Sequence, residues 1–268
     1  MSTPLPPQHL LDPAGLSDPG APGARAALGA RVLQIAFALF FLGGLLGGGL
    51  STWRMEAIRG GASISDMMAS QQTLLIALQI LHFAAEGAVL YGLSCLLRTP
   101  PGLGAAGPAR AAIALRVIDL VMDLATRFVP PLRDLVFRPV PMQILGVVGS
   151  LLIAVSLFFL VEALRRIEAA GGGDRVTALR GAYFAALLVS YVVSWALVLL
   201  PVGAYLGGTG SLGWGGFAFR EIAAALTCGL LLVMLEATRL AAARIEGPGT
   251  ATAAVTASTA PPGTRDMI

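Results

Sequence analysis

Apolar residues along this chain are gathered into unbroken runs rather than spaced at a strand or surface-helix period. Five runs stand out, at roughly 32–52, 73–97, 142–164, 179–200 and 217–238. Each approaches the ~20 residues that an α-helix needs to cross the hydrocarbon core of a bilayer. A sixth segment, 111–128 (AAIALRVIDLVMDLATRF), is apolar but carries Arg116, Asp119, Asp123 and Arg127. It reads either as a further span or as an amphipathic helix lying in the membrane surface. The flanks have no such pattern. Residues 1–24 and 247–268 are rich in Pro, Gly, Ala and Thr and read as disordered tails. No basic stretch precedes an apolar core at the start, the first arginine being Arg25, so the first tail does not read as a signal peptide. The expected fold class is all-α, a polytopic transmembrane helical bundle of six spans, or five if 111–128 is interfacial.

Arginine placement separates the two topologies. With six spans both tails lie on one side, together with Arg25, Arg31, Arg98, Arg110, Arg116, Arg165, Arg166, Arg175, Arg180, Arg239, Arg244 and Arg265, and the split is 12 arginines to 6. With five spans everything after 111–128 inverts and the split becomes 9 to 9. The positive-inside rule favours six spans with both termini cytoplasmic. Six spans also expose a weak repeat of three helical pairs. The last two pairs close alike, FLVEALRRIEAAGGG at 159–173 and VMLEATRLAAARIEGPG at 233–249.

Composition agrees with a lipid solvent. Of 268 residues 56% are hydrophobic and only 12% charged, with a mean hydropathy of +0.79. A soluble domain carries about 25% charged residues. Soluble-enzyme, collagen-like and disulfide-scaffold readings are excluded. Every basic residue is arginine, and lysine and asparagine are both absent. A GC-rich coding sequence explains this, which points to the inner membrane of a bacterium. The same absence removes a Walker lysine, a Schiff-base lysine and any N-glycosylation site. A net charge of +3, with arginines scattered at helix ends, implies no nucleic-acid partner. The expected partners are the bilayer and, beyond it, other membrane subunits or further copies of the chain. Cys95 and Cys228 fall at different depths and read as apolar fillers, not as a disulfide. His9 lies in the first tail and reads as a solvated side chain.

Several motifs carry weak signals. Gly43, Gly44, Gly47 and Gly48 in FLGGLLGGGL form two small-xxx-small pairs, which point to close helix packing and, as the lesser alternative, to a glycine-lined conduit. Gly208-x-Gly210-x-x-Gly213 matches a dinucleotide fingerprint as text but lacks the flanking strand, so it implies no cofactor. Glu162 with Arg165, and Glu236 with Arg239, read as i,i+3 ion pairs at helix ends. The chain has no HExxH and no Glu-x-x-His pattern.

The remaining signal is polar chemistry at mid-membrane depth. His82 and Glu86 lie four apart on the second run, as do Asp119 and Asp123 on 111–128, so each pair shares a helix face. Counted from Leu97 and Arg110, Glu86 is 11 residues deep, His82 15, Asp119 9 and Asp123 13. At 1.5 Å per residue the four groups fall in one layer about 9 Å thick. Ionisable groups there cost at least ~2.5–3.5 kcal/mol each, so they need a reason. Structural pairing supplies one: Arg116, Asp119, Asp123 and Arg127 along their own helix, and His82 with Glu86. Function supplies the other. The leading expectation is a small transporter or permease-like subunit in which Glu86, Asp119 and Asp123 hold a proton or cation and His82 relays. A packing or assembly subunit is the alternative, and an intramembrane enzyme with the four groups as metal ligands is a third reading.

Overall fold

The computed structural model describes residues 22–61, 63–131, 139–199 and 213–245, and among them the chain is helical throughout, without a strand. Six helices follow in order: α1 (Pro22–Arg59), α2 (Ile64–Leu97), α3 (Ala106–Phe128), α4 (Pro139–Ala170), α5 (Arg175–Leu199) and α6 (Gly213–Ala242). Among the described residues four stretches are long and apolar enough to cross a membrane: Gly23–Ile58, Gln71–Leu97, Ile144–Ala170 and Phe217–Ala242. The charges on α3 keep it out of that group. Residues 1–21 and 246–268 of the expected tails, and most of the loop bearing Gly208 and Gly210, lie outside the described residues. Residues 22–24 lie at the start of α1, where Gly23 packs against the Ala242 carbonyl at the end of α6.

Helices that follow one another pack as antiparallel hairpins, α1 on α2, α3 on α4 and α5 on α6, while α1 also lies along α6 and α4 along both neighbours of its hairpin. Small residues set the closest approach. A Cβ on Gly29 of α1 would stand 2.8 Å from the Gly92 carbonyl oxygen and 2.9 Å from Cys95 Cβ on α2. Such contact is what glycine permits between helices that gain nothing from the hydrophobic effect. Polar ties add to it. Gln34 Nε2 of α1 donates to Glu236 Oε2 of α6 at 3.1 Å, and Ser156 Oγ of α4 donates to the Ala112 carbonyl of α3 at 3.2 Å.

Burial is polarised along the bundle axis. The core is made by Leu33, Val89, Leu93, Leu96, Leu160, Leu164, Ile167, Met234 and Leu235, all toward the ends of their helices that carry the arginines. Toward the opposite ends fewer of the described residues are buried. The exterior is apolar, with Ile35, Ile80, Leu151, Leu188, Ile222 and Leu226 all more than half exposed. α3 inverts the pattern of a helix on a soluble protein: Arg116 is buried, whereas Val117, Ile118 and Val121 face outward.

The connections at the arginine-rich end are closed by specific bonds. Gly104, at a left-handed φ of 65°, ends the short 3-10 turn Pro101–Leu103, and its carbonyl accepts from Arg166 Nη1 at 2.8 Å. Glu168, 2% exposed, reaches from α4 to the start of α5, where its carboxylate accepts the Arg175 and Val176 backbone N–H groups at 3.0 and 2.6 Å. A Cβ on Gly173 would meet Glu168 Cγ at 2.6 Å, so glycine makes room for this cap.

Candidate functional site

The turn after α2 sets which groups meet. Counted from the helix ends at Leu97 and Ala106, Glu86 is 11 residues into α2 and Arg116 is 10 into α3. The two are therefore level, and Arg116 Nη1 bonds Glu86 Oε1 at 3.1 Å with both side chains about 5% exposed. The expected pairing of Arg116 along its own helix is thus corrected: the arginine crosses to α2. On the far side its guanidinium stands 6.0 Å from the centre of the Phe40 ring of α1. The other Glu86 oxygen, Oε2, is buried without a hydrogen-bond partner.

The other members of the layer have different surroundings. Asp123 accepts from Arg127 Nε at 2.9 Å, one turn on, as i,i+4 spacing allows, and Arg127 also lies over the Phe83 ring at 5.5 Å. His82 is exposed and stands edge-on to Phe40, 5.4 Å between ring centres, and to Phe83 at 5.8 Å. It makes no bond to Glu86, contrary to the structural pairing expected for it. Asp119 has no ion-pair partner among the described residues. Its Oδ1 would be 3.3 Å from a Cβ placed on Gly149 of α4, so the carboxylate rests against bare backbone. Glu86 nevertheless lies within the electrostatic reach of Arg116, His82, Asp119 and Asp123.

Metal chemistry finds no support in this arrangement. Among the described residues no three His, Cys, Asp or Glu side chains are placed to hold a metal ion. Glu86 and Asp123 are engaged by arginines and His82 turns outward, so the four cannot converge on one ion. The intramembrane metal-enzyme reading is set aside on that geometry.

Among the cavities between the described residues, one touches the layer and two lie beyond it. One of about 260 Å³ is lined by Asp119, Asp123, Thr126, Gly146 and Gly149. The second, of about 530 Å³, shares Gly146 with it and is walled by Phe37, Phe40, Phe41, Tyr183, Tyr191 and Cys228, among others. A third, of about 550 Å³, shares Phe40, Phe41, Ser190 and Ala224 with the second and reaches Ser51 and the Arg220–Glu221 pair at the open end. Gly44, Gly47 and Gly48 line this last one. At Gly44 and Gly47 nothing lies within 4 Å of where a Cβ would be, whereas Gly48 faces Arg220 and Phe217, and Gly43 faces Leu81 at 3.6 Å. Half of the stripe, Gly44 and Gly47, therefore borders open space among the described residues, while Gly43 and Gly48 face neighbouring helices; the close α1–α2 backbone approach is made elsewhere, by Gly29 and Gly92.

Comparison with models of protein families, with curated proteins and with solved structures finds no match to this chain. The functional reading consequently rests on the arrangement of side chains alone.

Proposed function

We propose that this chain is a six-span protein of a bacterial inner membrane, acting as a small transporter or permease-like subunit in which Asp119 exchanges a proton or cation. One observation carries the reading. Asp119 is a carboxylate without an ion-pair partner among the described residues, on the wall of a cavity that shares Gly146 with the aromatic chamber, which in turn borders the glycine-lined vestibule. Glu86 and Asp123, the other expected acids, are held by Arg116 and Arg127, which leaves Asp119 as the group able to gain or lose a counter-charge. Six spans are favoured by α3, which turns Arg116 inward and Val117, Ile118 and Val121 outward, where lipid suits them. An interfacial helix has the reverse need, with its charges toward water. The arginine-rich, tightly packed end is the cytoplasmic one in this topology, and the vestibule opens outward.

The test is flux in proteoliposomes. Asp119→Asn keeps the shape of the side chain but cannot exchange a proton or balance a cation, so it abolishes proton or cation flux while folded yield is kept. Wild-type flux in this variant ends the reading. A second reading has its own support: the clear space beside Gly44 and Gly47 fits a helix from another subunit, as an assembly role requires. Cross-links from Ser51→Cys to another chain, together with absent flux, select that alternative.

A further inference from the structure

We infer that the groove between α4 and α5 at the arginine-rich end holds an anionic phospholipid, with its phosphate on Arg165, Arg166 and Arg180 and an acyl chain along Phe158 and Phe184. The inference needs lipid around the helices but not the role given to Asp119 above.

Glu162 is the centre of the polar cluster. Its carboxylate accepts from Arg165 Nε and Nη2 at 2.9 and 2.8 Å, and from Arg166 Nε at 2.9 Å. Arg180 reaches toward the same carboxylate from α5, but its Nη1 stops at 3.9 Å, beyond hydrogen-bond length. Three guanidinium groups thus share one carboxylate and leave two positive charges in excess. The side chains of Arg165, Arg166 and Arg180 are 34, 41 and 46% exposed and that of Glu162 only 18%, so the cluster shows its cationic side. Glu168, further along α4, is buried and turned to the two N–H groups at the start of α5. Asp174 and Arg175 on the turn add one charge of each sign.

One turn deeper the groove becomes apolar. Phe158 lies four residues before Glu162 and Phe184 four after Arg180, and their ring centres stand 5.6 Å apart across the two helices. Phe158 is half exposed, and Leu151, Val155 and Leu188 continue the exposed apolar surface away from the arginines. Guanidinium forks match phosphate oxygens, and an apolar track directly below them matches the chain that a phospholipid carries there. A soluble anion would leave the track bare. A second copy of this chain would bring more arginine to the same level, since Glu236 at that end of α6 is already bonded by Arg239 and Gln34.

Native mass spectrometry of the purified full-length protein in a neutral detergent tests this. Palmitoyl-oleoyl phosphatidylglycerol and phosphatidylcholine, with the same chains, are titrated separately. The first phosphatidylglycerol should bind about tenfold tighter than the first phosphatidylcholine, because each unmatched arginine contributes about fivefold. Arg180→Gln should weaken it about fivefold, and Arg180→Lys, which keeps the charge, should restore most of that loss. Glu162→Gln removes the competing carboxylate and should instead tighten phosphatidylglycerol, so the two variants move in opposite directions. Neither should change phosphatidylcholine. Arg180 does not hydrogen-bond Glu162, so Arg180→Gln should melt with the wild type and a lost lipid is not a lost fold. Glycerol 3-phosphate, the headgroup without chains, should not displace the lipid at about a hundredfold excess, because it gains nothing from the apolar track. Equal binding of the two lipids, unchanged phosphatidylglycerol affinity in Arg180→Gln, displacement by glycerol 3-phosphate, or a second chain in place of the lipid overturns the inference. Phosphatidylglycerol preference in a protein that passes no ion keeps this inference and ends the transporter reading. Asp119-dependent flux without lipid preference does the reverse.

Discussion

Arg116 is the side chain with most to lose, because its charge is buried and Glu86 is its ion-pair partner. Removing one partner of a buried pair strands the other, at a cost of about 3–5 kcal/mol. Arg116→Ala should therefore lower the melting temperature in detergent sharply. The double variant Arg116→Met, Glu86→Met should recover most of the loss, since it leaves no charge unmatched. A double variant no more stable than Arg116→Ala alone rejects this account.

At the scale of helices, the glycines divide by what surrounds them. Gly29 faces the Gly92 carbonyl and Cys95 across the α1–α2 contact, so Gly29→Ala must push the helices apart. Gly44 and Gly47 face open space, and alanine there gains helix propensity, worth about 0.5–1 kcal/mol per site. Thermal unfolding should show Gly29→Ala destabilised and Gly44→Ala stabilised; the opposite ranking rejects the packing described. Glu168→Ala should cost about 1–2 kcal/mol, because it frees two N–H groups at the start of α5. These contacts also show what the sequence could and could not reveal. Long apolar runs mark where helices exist, but helix starts lie in polar turns, so α3 begins at Ala106 and not at 111. That five-residue error hid the level at which Arg116 meets Glu86. The four polar groups were legible as a layer because depth follows from residue count. Which of them were paired was not, because pairing depends on helix rotation. The FLGGLLGGGL stripe stood out by spacing, while single glycines at 29 and 92 carry no spacing signal at all.

Among the described residues burial is uneven along the bundle, like a cup. Leu33, Leu93, Leu164 and Leu235 seal the arginine-rich end, and the cavities run from Tyr183 toward Ser51 and Arg220 at the other. Access should therefore be one-sided, and the two native cysteines report on it. Cys228 lines the aromatic chamber and is only partly buried, its Sγ 3.7 Å from the Phe37 carbonyl oxygen. Cys95 is buried in the α1–α2 contact at the sealed end. In intact cells a small membrane-impermeant methanethiosulfonate should modify Cys228 and leave Cys95 untouched, with Cys228→Ser abolishing labelling. In inside-out vesicles neither should react, because the packed leucines stand between the cytoplasmic face and the chamber. Labelling of Cys228 from the cytoplasmic face alone would invert the topology, and labelling from both faces would replace the cup with a channel. Mass spectrometry of the modified peptides separates the three outcomes.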